Sequence, residues 1–533
     1  MRFKFLISAA LPAVLLAGCN SQQGSSASYQ PGPQEMAEAS DVAAAPENAE
    51  RYAKNAVSPV HAVAQAPVST FAVDVDTAAY ANVRRFLTQG QMPPKDAVRA
   101  EELINYFRYD YPAPGDRGAP FSVTTDVAQT PWNSETRLLR IGLRGYDLGR
   151  AQRPPANLVF LVDVSGSMNE PDKLPLVQRA LGMVADNMKP GDHVSIVVYA
   201  GAAGVVLEPT SSPAEVRAAL DDLSAGGSTA GGEGIELAYA MARENFDKEG
   251  INRVILASDG DFNVGITDQS QLEQLIERNR DDGITLTVLG FGQGNLNDSM
   301  MEAIADKGNG NYAYVDGVDE ARKVLDTELS STLFTIAKDV KVQVEFNPAE
   351  VSQYRLIGYE NRALTEQDFQ NDKVDAGDIG AGHQVTAIYE IVPAGSKGWL
   401  PDRHFAANRR PENAGGATGD AKGELAQVRL RYKLPNGDAS RLITQPVEAS
   451  RLRNAPMPSG DLAFAVAVAG FAQKLRGDDL LGDWGYADVK RLAGSQWGFS
   501  QQAWWRSEFL RLVDRADAQT RTASVRRAED RAL

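Results

Sequence analysis

Between residues 157 and about 330, short runs of wholly apolar residues alternate with longer segments whose apolar residues recur at helical spacing. The first run, residues 158–162, has no polar position at all. A strand that is apolar on both faces must be covered on both sides, and helices between successive strands provide that cover. The pattern predicts an α/β domain over residues 151–335, with a doubly wound, mostly parallel, Rossmann-like sheet.

Within this domain the apolar runs and the helical spacing give the individual elements. Strands are predicted at 158–162, 194–199, 254–257, 286–291 and 312–315. Helices are predicted at 176–188, 216–223, 235–246, 272–279, 300–305 and 318–329. In an open sheet of this kind, ligands bind beyond the carboxyl ends of the strands, near the point where the strand order reverses.

Oxygen-bearing side chains follow these strand ends. Asp163, Ser165 and Ser167 come directly after the first strand, Thr229 lies in a Gly-rich turn before a helix, and Asp259 follows the strand at 254–257. Hydroxyls and carboxylates suit a hard cation, so we predict a site for Mg²⁺, with Mn²⁺ and Ca²⁺ as alternatives. Mg²⁺ keeps an octahedral shell that includes waters. One coordination position would stay open for an Asp or Glu carboxylate of a protein partner.

Two other interpretations of these residues stay open. Ser, Thr and Asp at loop–helix junctions are also typical helix caps. Asp261 lies close to Asp259 in sequence and either faces the same site or is a solvated loop residue.

The order D-x-S-x-S, then a Thr, then an Asp in a strand-end D-G resembles the metal-ion-dependent adhesion site of von Willebrand A domains. The resemblance implies that Asp163 and Asp259 are carboxylate ligands and that Ser165, Ser167 and Thr229 are hydroxyl ligands. The whole chain resembles a family of bacterial von Willebrand factor type A domain lipoproteins, through residues 71–77, residues 101–107 and the segment after Leu333.

The beginning of the chain has the features of a lipoprotein signal. A basic start and an apolar run over residues 5–16 lead into Leu16-Ala17-Gly18-Cys19, which resembles a bacterial lipobox. We therefore expect a signal peptide over residues 1–19 and lipidation of Cys19, the only cysteine in the chain. An ordinary signal peptide with a free Cys is the alternative. Asn20 at the following position favours the outer membrane, on its periplasmic face, and acyl chains provide the anchor.

The remaining chain divides by composition and period. Residues 20–67 are rich in Ser, Gln, Ala, Pro and Glu and predict a disordered tether. Residues 68–150 predict a small α+β region. Residues 336–533 predict a β-rich domain closed by helices at 461–475 and 503–513, because residues 340–346 and 428–434 alternate with period two and a turn follows at 435–438. With 533 residues the chain is too long for a single core.

The function that these features predict is a membrane-anchored envelope protein whose A domain binds a protein partner through Mg²⁺, without enzymatic activity. The net charge of −16 disfavours nucleic acid as a partner. One alternative is a phosphatase, because Asp74-Val75-Asp76-Thr77 resembles the nucleophile motif of haloacid-dehalogenase-like enzymes. In a purely structural interpretation, Asp74 and Asp76 cap the next helix or pair with Arg84 and Arg85. Another alternative is a structural protein whose metal only stabilises loops.

Overall fold

The computed structural model describes residues 49–115, 118–149, 152–226, 231–260, 269–328, 331, 333–401, 423–435, 437, 439–494 and 501–532. Several predicted features lie outside the described residues: the signal peptide with Cys19, the tether as far as residue 48, Thr229, Asp261, and residues 436 and 438 of the predicted turn.

The helices and strands fall into three consecutive segments of the chain. The N-terminal segment forms β1 (His61–Ala62), β2 (Val68–Ala72), α1 (Ala78–Thr88), α2 (Ala100–Asn105), β3 (Phe121–Thr130) and β4 (Asn133–Gly145). The A domain forms β5 (Ala156–Asp163), α3 (Leu174–Asp186), β6 (His193–Tyr199), β7 (Ala203–Thr210), α4 (Pro213–Asp221), α5 (Gly231–Glu244), β8 (Ile251–Ser258), α6 (Gln269–Asp281), β9 (Thr285–Phe291), α7 (Asp298–Lys307), β10 (Tyr312–Val315) and α8 (Val318–Arg322). The C-terminal segment forms β11 (Thr335–Phe346), β12 (Val351–Ile357), β13 (Ala363–Leu364), α9 (Glu366–Gln370), β14 (Ile379–Gly380), β15 (Gln384–Pro393), β16 (Glu424–Lys433), β17 (Ser440–Glu448), α10 (Ala449–Arg453), α11 (Gly460–Arg476), α12 (Tyr486–Ala493) and α13 (Gln501–Ala532).

The A domain is built on a six-stranded sheet with the order β10-β9-β8-β5-β6-β7. All neighbouring pairs are parallel except β6 and β7. Every residue of β5 is buried, because helices cover both faces of the sheet. The α/β prediction and the predicted strands are therefore confirmed, while β7 is an antiparallel edge strand that the sequence pattern did not predict.

The N-terminal and C-terminal segments do not form separate bodies, contrary to the predicted division at residues 68–150 and 336–533. One antiparallel sheet has the order β1-β12-β15-β4-β3, and a second has the order β13-β2-β11-β16-β17. In both sheets a strand from the start of the chain pairs with strands from its end. We call this combined unit the flanking body.

The two sheets of the flanking body pack face to face around one core. That core takes Phe71 and Val342 from one sheet and Ile141 and Ile391 from the other. On the outer face of the first sheet, α1, α2, α11, α12 and α13 form a helical layer with its own core. The predicted hairpin of β16 and β17 and the two closing helices are confirmed, although α13 extends to Ala532.

The predicted disordered tether does not extend to residue 67. Ala49 and Arg51 donate backbone hydrogen bonds of 2.8 Å to Gly294 and Leu296 in the A domain. Further along, β1 pairs with β12 in the flanking body. Residues 49–67 are therefore part of the folded structure, because several of their backbone polar groups are hydrogen-bonded to neighbouring loops and strands despite a composition typical of disorder.

The A domain leaves and re-enters the flanking body at adjacent positions. Gly382 donates its backbone N–H to the carbonyl of Tyr146, and Ala381 donates to the carbonyl of Phe334. Tyr146 precedes β5, the first strand of the A domain, and Phe334 follows α8, its last helix. The A domain is therefore an insertion whose two ends are held side by side. No helix among the residues that the structure describes has both the length and the apolar character needed to cross a bilayer.

Buried ion pairs join the inserted domain to the flanking body. Arg99 lies 2.6 Å from Asp298 of α7 and also pairs with Glu102 beside it. Arg362 pairs with Asp74 of the flanking body and with Asp306 of the A domain. Such pairs are sensitive to geometry, because an unpartnered buried charge is costly.

Carboxyl groups outnumber guanidinium groups around these two arginines. One carboxylate oxygen from each of Asp74, Glu102 and Glu302 lies within 4.8 Å of the other two, and all three residues are buried. Burial raises the pKa of Glu102 to about 8 and that of Glu302 to about 7. Next to them, burial and the charge of Glu360 raise the pKa of Glu101 to about 8. Neither carboxylate oxygen of Glu101 has a hydrogen-bond partner among the described residues.

Replacing Arg99 with Met should destabilise the protein strongly, because it leaves Glu102 and Asp298 buried without their cation. We expect a loss of about 3–5 kcal/mol in the free energy of unfolding, measured by urea denaturation. Arg217→Met is the matched control, since Arg217 and Asp186 form an exposed pair. The control should cost less than about 1 kcal/mol. Equal losses in the two variants would contradict a structural role for the buried network.

Replacing Glu101 with Gln should change how stability depends on pH. The folded-state pKa of Glu101 is raised to about 8 from an ordinary value of 4.5, so the native state binds more protons than the unfolded state between these values. Wild-type stability should therefore fall as pH rises through this window. Glu101→Gln stays neutral, and its urea midpoint should decline less between pH 7 and 8.5. Glu366→Gln, at an exposed carboxylate, should keep the wild-type slope; an unchanged slope in Glu101→Gln would refute the assignment.

Candidate metal centre

The predicted ligands lie at the carboxyl ends of two adjacent strands. Asp163 ends β5, and Asp259 follows Ser258 at the end of β8. These strands are parallel neighbours, with Val162 opposite Ala257. From β5 the chain proceeds to β6 on one side, whereas β8 lies on the other side, so the two strand ends flank the point where the strand order reverses.

The turn after β5 brings three oxygen-bearing side chains together. Asp163 Oδ1 accepts a 2.9 Å hydrogen bond from the backbone N–H of Ser165. The hydroxyl oxygens of Ser165 and Ser167 lie 3.1 Å apart. Met168 is buried beneath the turn, and its N–H donates to the carbonyl of Ser165. Asp163 and Ser165 are buried while Ser167 is exposed, so the turn presents a hydroxyl toward solvent.

The carboxyl group of Asp163 is in an environment that disfavours its negative charge. Burial is the main cause that raises its pKa to about 6, and the charge of Asp259 raises it further. Hydrogen bonds from Ser165 and from the Ser258 hydroxyl, 3.2 Å from Asp163 Oδ2, act in the opposite direction. A bound cation would reverse this balance by favouring the ionised carboxylate. The all-oxygen donor set therefore fits a hard divalent ion.

Asp259 already has a cationic partner. Lys173 Nζ lies 2.7 Å from Asp259 Oδ2, and Asn295 Nδ2 donates a 2.9 Å hydrogen bond to the same oxygen. Lys173 immediately precedes α3, and Asn295 lies in the loop after β9. Sequence reasoning missed both residues. Neither residue belongs to a sequence motif that could have identified it. The only signal near Asn295 is the Gly-rich segment 290–294, which indicates an unusual backbone at the start of the loop after β9.

Gly292 and Gly260 show how closely these loops approach. At Gly292, with φ of +69°, a Cβ atom would lie 2.4 Å from Cγ of Lys173. At Gly260, with φ of +93°, a Cβ atom would lie 2.4 Å from the backbone nitrogen of Asn297. Only glycine meets both the backbone and the space requirements at these positions. The start of the loop after β9 therefore packs directly against the side chain of Lys173.

The structure thus brings Asp163, Ser165 and Ser167 into one turn and places Asp259 at the end of the neighbouring strand. Thr229 lies outside the described residues, as does Asp261. The assignment of these five residues as metal ligands stays a prediction.

Asp74 and Asp76, the residues behind the phosphatase alternative, are buried in the ion-pair network. Asp74 accepts the backbone N–H of Asp76 at 2.9 Å, and Arg362 lies 3.2 Å from its other oxygen. Asp76 accepts the backbone N–H of Tyr312 at 2.8 Å. The alternative in which these carboxylates pair with Arg84 and Arg85 is wrong, because Arg84 pairs with Asp316, Glu320 and Glu508, and Arg85 pairs with Glu50. Both carboxylates have structural partners and little exposure.

Sequence profiles agree with this organisation. The profile of the von Willebrand factor type A domain matches residues 157–327. A profile described as von Willebrand factor matches residues 46–140, and one described as the C-terminal part of uncharacterized protein YfbK matches residues 331–518. The fold and the candidate site therefore define a von Willebrand A domain protein.

Comparison with individual relatives identifies the family within the class of von Willebrand A domain proteins. Uncharacterized protein YfbK of Escherichia coli K12 is 44% identical over 478 residues, which cover 88% of this chain and 81% of that protein. Uncharacterized protein sll0103 of Synechocystis is 29% identical over 345 residues, or 63% of this chain and 76% of that protein. The chain belongs to the YfbK family of von Willebrand A domain proteins.

Solved structures with similarity to this chain include the von Willebrand factor type A protein from Catenulispora acidiphila. It aligns with a TM-score of 0.39 and 16% identity over 74% of this chain and 93% of that chain. BatB from Bacteroides thetaiotaomicron aligns with a TM-score of 0.29 and 24% identity over 33% of this chain and 97% of that chain.

Substituting Gly260 with Ala should disturb the candidate metal centre more than substituting Gly294. Both glycines have φ near +93°, which costs a non-glycine residue about 1–2 kcal/mol. A Cβ at Gly260 also meets backbone at 2.4 Å, whereas nothing lies within 4 Å at Gly294. Thermal unfolding should show a further loss of about 1–3 kcal/mol for Gly260→Ala. Equal losses would mean that the loop after β9 does not pack tightly on Asp259.

Proposed function

We propose that this protein is a metal-dependent protein-binding module held at the cell envelope. Asp163, Ser165, Ser167, Thr229 and Asp259 would hold Mg²⁺, or alternatively Mn²⁺ or Ca²⁺. When bound, the ion supplies an open coordination position that a partner Asp or Glu carboxylate can fill. The chain's own residues position that ion at the carboxyl edge of the sheet and present it to solvent.

The observation that carries the proposal is the convergence of buried carboxylates and an exposed hydroxyl at one edge. Asp163 is fully buried, yet the Ser167 side chain in the same turn is exposed. Buried acids can hold an ion tightly, while an exposed edge lets a second protein reach it. The match of residues 157–327 to the von Willebrand factor type A domain supports a role in protein interaction.

Location at the envelope rests on the lipobox-like sequence that ends in Cys19. Lipidation there would tether the folded body to a membrane, and Asn20 favours the outer membrane. We propose binding without catalysis, because Asp74 and Asp76 are engaged with Arg362 and with backbone N–H groups and so are poorly placed to attack a substrate.

Titration of MgCl₂ or MnCl₂ into the full chain in detergent micelles should give a saturable heat by calorimetry. Asp163→Ala removes a carboxylate of the site and should abolish that heat, because a hard divalent ion needs anionic oxygen ligands. Asp186→Ala serves as the matched control, since Asp186 is an exposed acid of the same domain. A binding heat that persists in Asp163→Ala would contradict the assignment of the metal site, as would the absence of a binding heat in the wild type.

Crosslinking in the intact envelope tests the second half of the proposal. Partner adducts of the wild type should disappear with EDTA and in Asp163→Ala, and should persist in Asp186→Ala. If EDTA lowers the melting temperature while the adducts stay unchanged, the metal serves only to stabilise loops and the binding function is refuted.

A further inference from the structure

We propose that Lys173 is an internal cation that competes with the metal for Asp259 and thereby sets the metal affinity of the site. This inference rests on the proposed metal centre. It adds a residue that is absent from the D-x-S-x-S, Thr and Asp pattern and assigns that residue a regulatory role.

The position of Lys173 is defined by several contacts. Its Nζ lies 2.7 Å from Asp259 Oδ2, with 7% of the lysine side chain and none of the aspartate side chain exposed. Asn295 Oδ1 lies 3.3 Å from the same Nζ, while Asn295 Nδ2 donates to Asp259 Oδ2. Lysine, aspartate and asparagine therefore form a closed group in which each side chain contacts the other two.

The path of the lysine side chain is also built into the fold. A Cβ at Gly292 would lie 2.4 Å from Cγ and 2.5 Å from Cε of Lys173, so the lysine stem crosses the backbone where only glycine leaves room. The carbonyl of Gly292 accepts a 2.6 Å hydrogen bond from the Tyr314 hydroxyl, which fixes the loop. An exposed lysine that met Asp259 by chance would not need such a channel.

Electrostatics gives the direction of the effect. A buried ammonium beside Asp259 neutralises the carboxylate that a divalent ion would use, and it repels that ion when both are present. Without metal, the Lys173 ammonium supplies a positive charge beside the buried Asp259 carboxylate. Lys173 therefore stabilises the metal-free site and weakens metal binding, so that exchange of the ion does not require unfolding of the loops.

Calorimetric Mg²⁺ and Mn²⁺ titrations of the full-length variants Lys173→Met and Lys173→Gln test this inference. Both variants remove the charge, and Gln retains a donor for Asp259 if Met folds poorly. We expect affinity to rise at least about tenfold for either variant. Lys173→Arg keeps the charge and should not bind more tightly. Lys248→Met, at an exposed lysine before β8, should bind as the wild type does.

Thermal unfolding provides a second readout. In EDTA, Lys173→Met should melt below the wild type, and saturating Mg²⁺ should raise its melting temperature more than that of the wild type, since tighter binding gives a larger shift. Wild-type or weaker affinity in both neutral variants would overturn the role of Lys173 and leave the metal site intact. Absence of binding in the wild type and in both variants would overturn the proposed metal centre as well.

Discussion

The antiparallel pairing of β2 with β11 is the constraint on which the rest of this structure depends. It joins Ala72 to Lys341 and Val68 to Glu345, across the entire A domain. Closing so long a loop costs conformational entropy, and contacts of such high sequence separation form slowly. The cost is offset because β4 pairs with β15 in the other sheet of the flanking body, and the two sheets share one core. The A domain is consequently held at both ends as an inserted domain, and is not one of several consecutive domains joined by single linkers.

The contact between the inserted domain and the flanking body is specified by charge as well as by shape. Helix α1 packs Ala78 and Ala81 into an A-domain core. In addition, buried guanidinium groups form ion pairs with carboxylates of both the A domain and the flanking body, which fixes the position of one relative to the other. Arg99 reaches Asp298 and Glu102 together, and a displaced domain would leave several buried charges without partners. Burial, together with the surplus of carboxyl groups around Arg99, raises the pKa values of Glu102 and Glu302. The geometry of the contact is therefore coupled to proton binding.

Periodicity predicted strands and helices well, but it did not identify their partners. The apolar runs of the A domain gave its parallel sheet because a doubly covered strand has few other solutions. In β11 the alternation predicted a half-buried strand, yet Lys341 and Gln343 on its polar face are buried as well. Lys341 donates to the carbonyls of Asp368 and Asn371, which belong to a segment that covers this face. An alternation with period two identifies the two faces of a strand, but it does not show which segments pack on those faces. The joining of both chain ends in one body could therefore not be predicted.

The candidate metal centre shows the same limit on a smaller scale. Asp163, Ser165 and Ser167 can be recognised from sequence because a single turn must present all three, which fixes their spacing. Asp259 follows from the adjacent strand end. Lys173 and Asn295 contact Asp259 from two other loops, and tertiary packing alone determines their positions. A motif of ligands therefore predicts where a metal would bind, whereas the residues proposed to tune its affinity lie outside the motif. Under the proposal made above for Lys173, the charge balance at Asp259, and not the ligand pattern, would decide how firmly an ion is held.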